Sequence, residues 1–174
     1  MAAEPGTEGV SRAEALIDAL TRAGLTIAVA ESLTGGAVAA ELVNVPGASA
    51  VLRGAVVAYD TALKSSLLGV PAELLAQHGP VHGEVAALMA EGVRAVAAAG
   101  GHPADIGVAT TGVAGPDPQG DAPVGLVFVS VADAAGTEVR ELRLAGDRAA
   151  IRAQTVDAAL ELVTDRLART APKK

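Results

Sequence analysis

The sequence predicts an α/β fold: a single three-layer α/β/α domain with a mixed β-sheet. Three observations carry that prediction. Short apolar runs alternate with amphipathic helical stripes early in the chain, the pattern of parallel strands joined by crossover helices. Two extended runs then follow one another across a turn, which adds an antiparallel hairpin and makes the sheet mixed. With 174 residues the chain fits one domain, and it has no internal repeat and no linker long enough to divide it. Residues 1–10 read as a flexible amino terminus and 11–170 as the domain.

The elements follow in order. Ser11-Arg12-Ala13-Glu14 has the form of a capping box, and Ala15, Leu16, Ala19 and Leu20 continue it as an apolar stripe ending at Gly24. Leu25 to Ala30 reads as a buried strand. A second helix is expected from Thr34 through Leu42, stopping before Pro46-Gly47. Val-rich Ala50 to Tyr59 reads as a strand with a bulge at Gly54. Helical turns are expected over Thr61 to Leu68 and Pro71 to Gln77, then a longer helix from Glu84 to Ala99 closed by Gly100-Gly101. Ile106 to Thr111 is a second buried strand, followed by the Gly/Pro-rich stretch Gly112 to Pro123. Val124 to Ala132 and Glu138 to Leu144 flank Asp133-Ala134-Ala135-Gly136 as a hairpin. Asp147 to Arg169 is the last helix, and the Pro172-Lys173-Lys174 tail is expected to fray.

Composition narrows the function. Apolar residues make up 51% of the chain, much of it alanine, so the core rests on Val, Leu and Ile, with close backbone approach at Ala and Gly. Tyr59 and Phe128 are the only aromatic residues, too few for a base-stacking platform. A formal charge of −7 opposes phosphate-backbone binding, so direct nucleic-acid binding is excluded as an expectation. With no cysteine there is no disulfide, thiolate metal site or Cys nucleophile. Neither a signal peptide nor a membrane span is expected, which leaves a soluble, cytoplasmic protein as the default. His78, His82 and His102 are scattered without helical ligand spacing, so no metal and no cofactor are expected.

Four segments could carry chemistry. Ser32-Leu33-Thr34-Gly35-Gly36 stands between a buried strand and a helix, where open α/β sheets bind ligands. Ser and Thr are also ordinary helix caps, and spacing alone favours that role for Ser32 or Thr34. The segment matches neither Gly-x-Ser-x-Gly nor a Walker loop. Tyr59 and Lys64 could share a cleft, with Lys64 as a general base. Losing its proton near neutral pH costs about 4 kcal/mol against a free pKa of about 10.4, within reach of burial beside a helix N-terminus. Taken alone, the pair reads as a solvated Lys and a partly buried Tyr. Thr111, Gly112, Ala114 and Gly115 form a glycine-rich loop that either exposes N–H groups to a phosphate or simply shapes the surface. Arg148 either clamps a phosphate or lies solvated beside a capping Asp147.

Taken together, these segments resemble the CinA carboxy-terminal family. The resemblance runs in family order through Ala30-Glu31-Ser32-x-Thr34-Gly35-Gly36, Val45-Pro46-Gly47-Ala48-Ser49, Tyr59-x4-Lys64, Thr111-Gly112-Val113-Ala114-Gly115-Pro116, Pro123-Val124-Gly125 and Gly146-Asp147-Arg148. It covers the chain from about Leu25 to Leu167. One such segment is weak; six in order are specific.

The resemblance implies metal-free hydrolysis of nicotinamide mononucleotide to nicotinate mononucleotide and ammonia, a step of pyridine nucleotide salvage. Carried over by position, it makes Ser32 the nucleophile, with Lys64 and Tyr59 handling its proton and orientation. Thr34, Gly35, Gly36, Thr111, Gly112, Ala114, Gly115 and Arg148 then contact substrate, the last five toward the ribose phosphate. N–H groups near Gly35 and Gly36 are the expected oxyanion donors. The resemblance also implies a homo-oligomer. The alternative expectation is a non-catalytic nucleotide-binding or regulatory domain linked to competence or DNA damage; a third is an amidase for another pyridine nucleotide or small amide. Departures from the family pattern are Leu33 for Cys, Asp60-Thr61 for Ser-Asn, His82 for a capping Ser, and a remodelled Asp117-Pro118-Gln119-Gly120. The amino-terminal nucleotide-hydrolysing domain of longer relatives is not expected in this sequence, and its activity is not carried over.

Overall fold

A computed structural model describes residues 10–170. The expected flexible stretch up to Gly9 and the expected fraying of Pro172-Lys173-Lys174 lie outside the described residues.

Helix α1, Arg12–Ala23, begins at the predicted capping box, with Ser11 and Glu14 each accepting the other's backbone N–H. It ends at Gly24, whose φ of 65° is a left-handed turn open to glycine. Strand β1, Ile27–Glu31, starts two residues later than its apolar run suggests. Thr26 is held instead by Asp105, which accepts from both its N–H and its hydroxyl. Helix α2 is Ala37–Val43, shorter than expected, because Gly35 and Gly36 adopt φ of 61° and 98° and complete a turn before the helix starts.

Strand β2, Leu52–Val57, is bulged beside Gly54 and leaves Tyr59 just past its end. Two short helices follow, α3 at Thr61–Ser66 and α4 at Ala72–His78. Helix α5, Gly83–Val96, is capped by His82, whose Nδ1 accepts the Glu84 N–H at 3.3 Å. Its predicted last residues leave the helix, as Ala99 and His102 pair across a small loop. Strand β3 is Ile106–Gly112, and β4, Leu126–Asp133, forms the predicted hairpin with β5, Gly136–Arg143. The chain closes with α6, Arg148–Thr170, whose start is capped by Asp147.

The five strands form one mixed sheet in the order β2-β1-β3-β4-β5, with the first three parallel and the hairpin antiparallel. Its two faces bury different chemistry. Helices α1, α2 and α6 cover a face of large side chains, among them Ile27, Val29, Val108 and Val129. Leu16 and Leu20 of α1 are fully buried there, each worth about 1.5–3 kcal/mol. The opposite face carries Ala28, Ala30, Ala109 and Ala132, and α5 lies close against it with Val85, Met89 and Val93. Close approach is enforced at Gly107, where a Cβ would stand 1.9 Å from the Ala90 carbonyl oxygen. The three-layer α/β/α prediction is the observed architecture. No described helix is long and apolar enough to cross a membrane.

Candidate active site

The carboxyl ends of β2, β1 and β3 lie side by side, and each hands its chain to a segment singled out in the sequence. Tyr59 follows β2, Ser32 follows β1, and Gly112 closes β3 before the glycine-rich loop. Ligands settle at such an edge because the strands diverge into loops and helix starts there.

Ser32 is anchored by its N–H, which donates to the Thr110 carbonyl at 3.1 Å. It does not cap α2. Its hydroxyl accepts a hydrogen bond from Lys64 Nζ at 2.9 Å, and the same ammonium donates to the Ala58 carbonyl at 2.8 Å. Lys64 reaches this point from α3 and is only 1% exposed. Burial lowers its pKa from 10.5 to about 8, partly opposed by the negative charge of Asp60, which also caps α3. A largely desolvated amine in contact with a serine hydroxyl is the arrangement of a general base and its nucleophile.

The cap on α2 is Glu31, a fully buried carboxylate that sequence reading left unassigned. It accepts the N–H groups of Gly36, Val38 and Ala39 at 3.0, 3.1 and 2.9 Å. Consequently the expected oxyanion donors are committed elsewhere. Gly36 N–H binds Glu31, and Gly35 N–H binds the Ser32 carbonyl at 3.0 Å. Among the described residues, nothing accepts from the N–H groups of Leu33 and Thr34. These stand at the centre of the turn beside Ser32, unpaired where the N–H groups of the glycines are not. No sequence signal marks that difference, because Glu31 reaches α2 from the preceding strand.

Other predicted contacts separate in the same way. The Thr34 and Thr110 hydroxyls pair at 2.8 Å inside the fold, and Thr111 donates to the Pro80 carbonyl at 2.7 Å. All three threonines therefore brace the site with their hydroxyls. Tyr59 is 60% exposed, and its hydroxyl accepts from Arg148 Nη2 at 3.0 Å instead of bonding Ser32 or Lys64. Arg148 also donates to the Gly115 carbonyl at 2.7 Å, tying α6 to the glycine-rich loop. These residues wall a cavity of about 230 Å³ together with Gly112, Ala114, Leu33 and, from the remodelled loop, Asp117. One turn further along α6, Arg152 donates to the Leu33 carbonyl at 3.0 Å and the Thr34 carbonyl at 2.8 Å, a clamp absent from the sequence reading. His78 and His82 stack at 4.5 Å beyond the loop, and no group of three described metal-ligating residues converges.

Comparison with known proteins bears on the family and the fold. The family model described as the CinA C-terminal domain matches residues 10–167. A CinA-like protein from Frankia casuarinae is 47% identical over 166 residues, which is 95% of this chain and 36% of that protein. A CinA-like protein from Geobacter sulfurreducens is 46% identical over 145 residues, 83% of this chain and 34% of that protein. The chain thus spans about a third of the length of the curated relatives it matches. Among solved structures, the competence/damage inducible protein CihA from Agrobacterium tumefaciens superposes with a TM-score of 0.83 at 34% identity, over 95% of this chain and 98% of that one. A CinA superfamily protein from Klebsiella pneumoniae gives 0.85 at 31% identity, over 91% and 96%.

Proposed function

The chain belongs to the CinA C-terminal domain family, and from this membership and the Ser32–Lys64 contact we propose that it deamidates nicotinamide mononucleotide, a small anionic nucleotide. The observation that carries the reading is the 2.9 Å approach of a buried Lys64 amine to the Ser32 hydroxyl. A binding module has no use for a desolvated base held against a serine.

In the reaction, neutral Lys64 accepts the Ser32 proton as Oγ attacks the amide carbon. Negative charge gathers on the amide oxygen, facing the N–H groups of Leu33 and Thr34. Collapse breaks the C–N bond, and the Lys64 ammonium returns the proton to the departing ammonia. Water, deprotonated by Lys64, then hydrolyses the Ser32 ester to nicotinate mononucleotide, and the proton passes back to Ser32. Arg148 meets the phosphate with charge-assisted hydrogen bonds, and Tyr59 holds the guanidinium in place. Asp117 offers a counter-charge to the cationic pyridine ring. Ring and phosphate together span the cavity and the open edge beside Ser32.

Ammonia release from nicotinamide mononucleotide, followed for wild type beside Ser32→Ala and Lys64→Ala, tests the reading. Either variant should lose at least about a thousandfold in kcat, as removal of a nucleophile or its base does. A wild type no faster than the variants would leave a nucleotide-binding domain without catalysis.

A further inference from the structure

We propose that Arg152 is a positioning residue for the oxyanion site, orienting and polarising the Leu33–Thr34 peptide so that the Thr34 N–H meets the developing negative charge. The inference rests on the amidohydrolase reading of Ser32 and adds a group which that reading does not use.

The argument begins with the turn. Gly35 N–H donates to the Ser32 carbonyl, closing Ser32 to Gly35 as a four-residue turn. In such a turn the N–H of the third residue faces the side chain of the first, the geometry that lets Ser and Asx side chains close local turns. Thr34 is that third residue, and its N–H is unpaired among the described residues although Thr34 is fully buried. A buried, unpaired N–H beside a nucleophile is costly unless a ligand uses it.

Arg152 acts on the other end of the same peptide. Its Nε donates to the Leu33 carbonyl, and in a trans peptide the Thr34 N–H points opposite to that oxygen. The bond fixes the plane and draws electron density toward the carbonyl, which strengthens the N–H as a donor, because linked hydrogen bonds polarise one another. Nη2 donates to the Thr34 carbonyl, so the fork grips two successive peptides, as a planar guanidinium can and an ammonium cannot. Glu31 holds the far side of the turn through Gly36. Arg148, four residues earlier on α6, faces the cavity instead. The two arginines on one helix face thus divide the labour, one for the substrate and one for the turn.

Kinetics separate this role from phosphate binding and from simple bracing. Arg152→Gln should lower kcat for nicotinamide mononucleotide by about 10- to 100-fold, part of the loss seen when an oxyanion donor is removed outright. KM, the pH midpoint set by Lys64 and the melting temperature should remain near wild type. Arg152→Lys, which keeps the charge and one carbonyl bond, should fall between the two. Labelling of Ser32 by a fluorophosphonate, which also builds negative charge on an oxygen, should slow in parallel. A rise in KM with kcat preserved would make Arg152 a substrate ligand and overturn the proposal. A loss of kcat accompanied by unfolding or a displaced pH midpoint would make it a structural brace and overturn it too. A wild type that labels at Ser32 but leaves nicotinamide mononucleotide intact would end the substrate assignment alone. In that case a slowed label in Arg152→Gln upholds the inference and an unchanged label refutes it.

Discussion

Titration of Lys64 gives the sharpest test of the site, because one number governs both rate and stability. The general base must be neutral, and burial brings its pKa from 10.5 to about 8. About one-tenth of the protein then carries a neutral Lys64 at pH 7, half at pH 8 and about nine-tenths at pH 9. The kcat/KM for ammonia release should rise about tenfold per pH unit below 8 and level off above it. A lysine left at 10.5 would be neutral in only about 3 molecules in 10,000 at pH 7, and its profile would climb past pH 10. Stability follows with a definite sign. The folded pKa lies below the unfolded one, so the penalty of burying the ammonium is present in full below pH 8. It is relieved as pH rises from about 8 to 10.5. Its size is about 3 kcal/mol at 1.36 kcal/mol per pH unit. Lys64→Met carries no such penalty. Denaturant unfolding of both proteins at pH 7 and pH 10.5 should therefore show wild type gaining about 3 kcal/mol on the variant, while titrations common to both cancel. A rate profile flat from pH 6 to 9, or an unchanged stability difference, would refute the description of Lys64 as a desolvated base.

Other perturbations test the surroundings. Arg148→Ala removes the charged fork at the cavity wall and should raise KM for nicotinamide mononucleotide about 10- to 150-fold, the worth of one charge-assisted contact, with kcat nearly kept. Glu31→Gln keeps one acceptor oxygen but turns an amide NH2 toward a backbone N–H of α2 that the second carboxylate oxygen accepts, and should cost about 1–3 kcal/mol in denaturant unfolding while slowing ammonia release. Gly107→Ala drives a methyl into the Ala90 carbonyl and should destabilise by about 3 kcal/mol, read as a fall in melting temperature with the kcat of the folded fraction retained.

Much of the architecture is written locally in the chain. The capping box at Ser11 and Glu14, the left-handed stop at Gly24 and the hairpin after Asp133 involve residues within four positions of one another. Local sterics and hydrogen bonding decide such features whatever the rest of the molecule does. The alternation of apolar runs and helical stripes was equally sufficient for the three-layer sheet, and the ordered motifs pointed to the family. Spacing could not decide what Ser32 does. Taken alone it read as a helix cap, and the contact that sets it against a base comes from Lys64, which arrives 32 residues later and loses its solvent on the way in. Packing also took up the N–H groups expected as oxyanion donors, Gly36 on the Glu31 carboxylate and Gly35 on the Ser32 carbonyl, and left those of Leu33 and Thr34 without a partner among the described residues. It recruited Arg152 from more than a hundred residues away. The Lys64 and Arg152 contacts depend on strand order and on which helix crosses which face, so no local pattern encodes them. Residue types and local turns were settled by the sequence alone; which polar groups found partners, and which were left free for a substrate, was settled only when the layers packed.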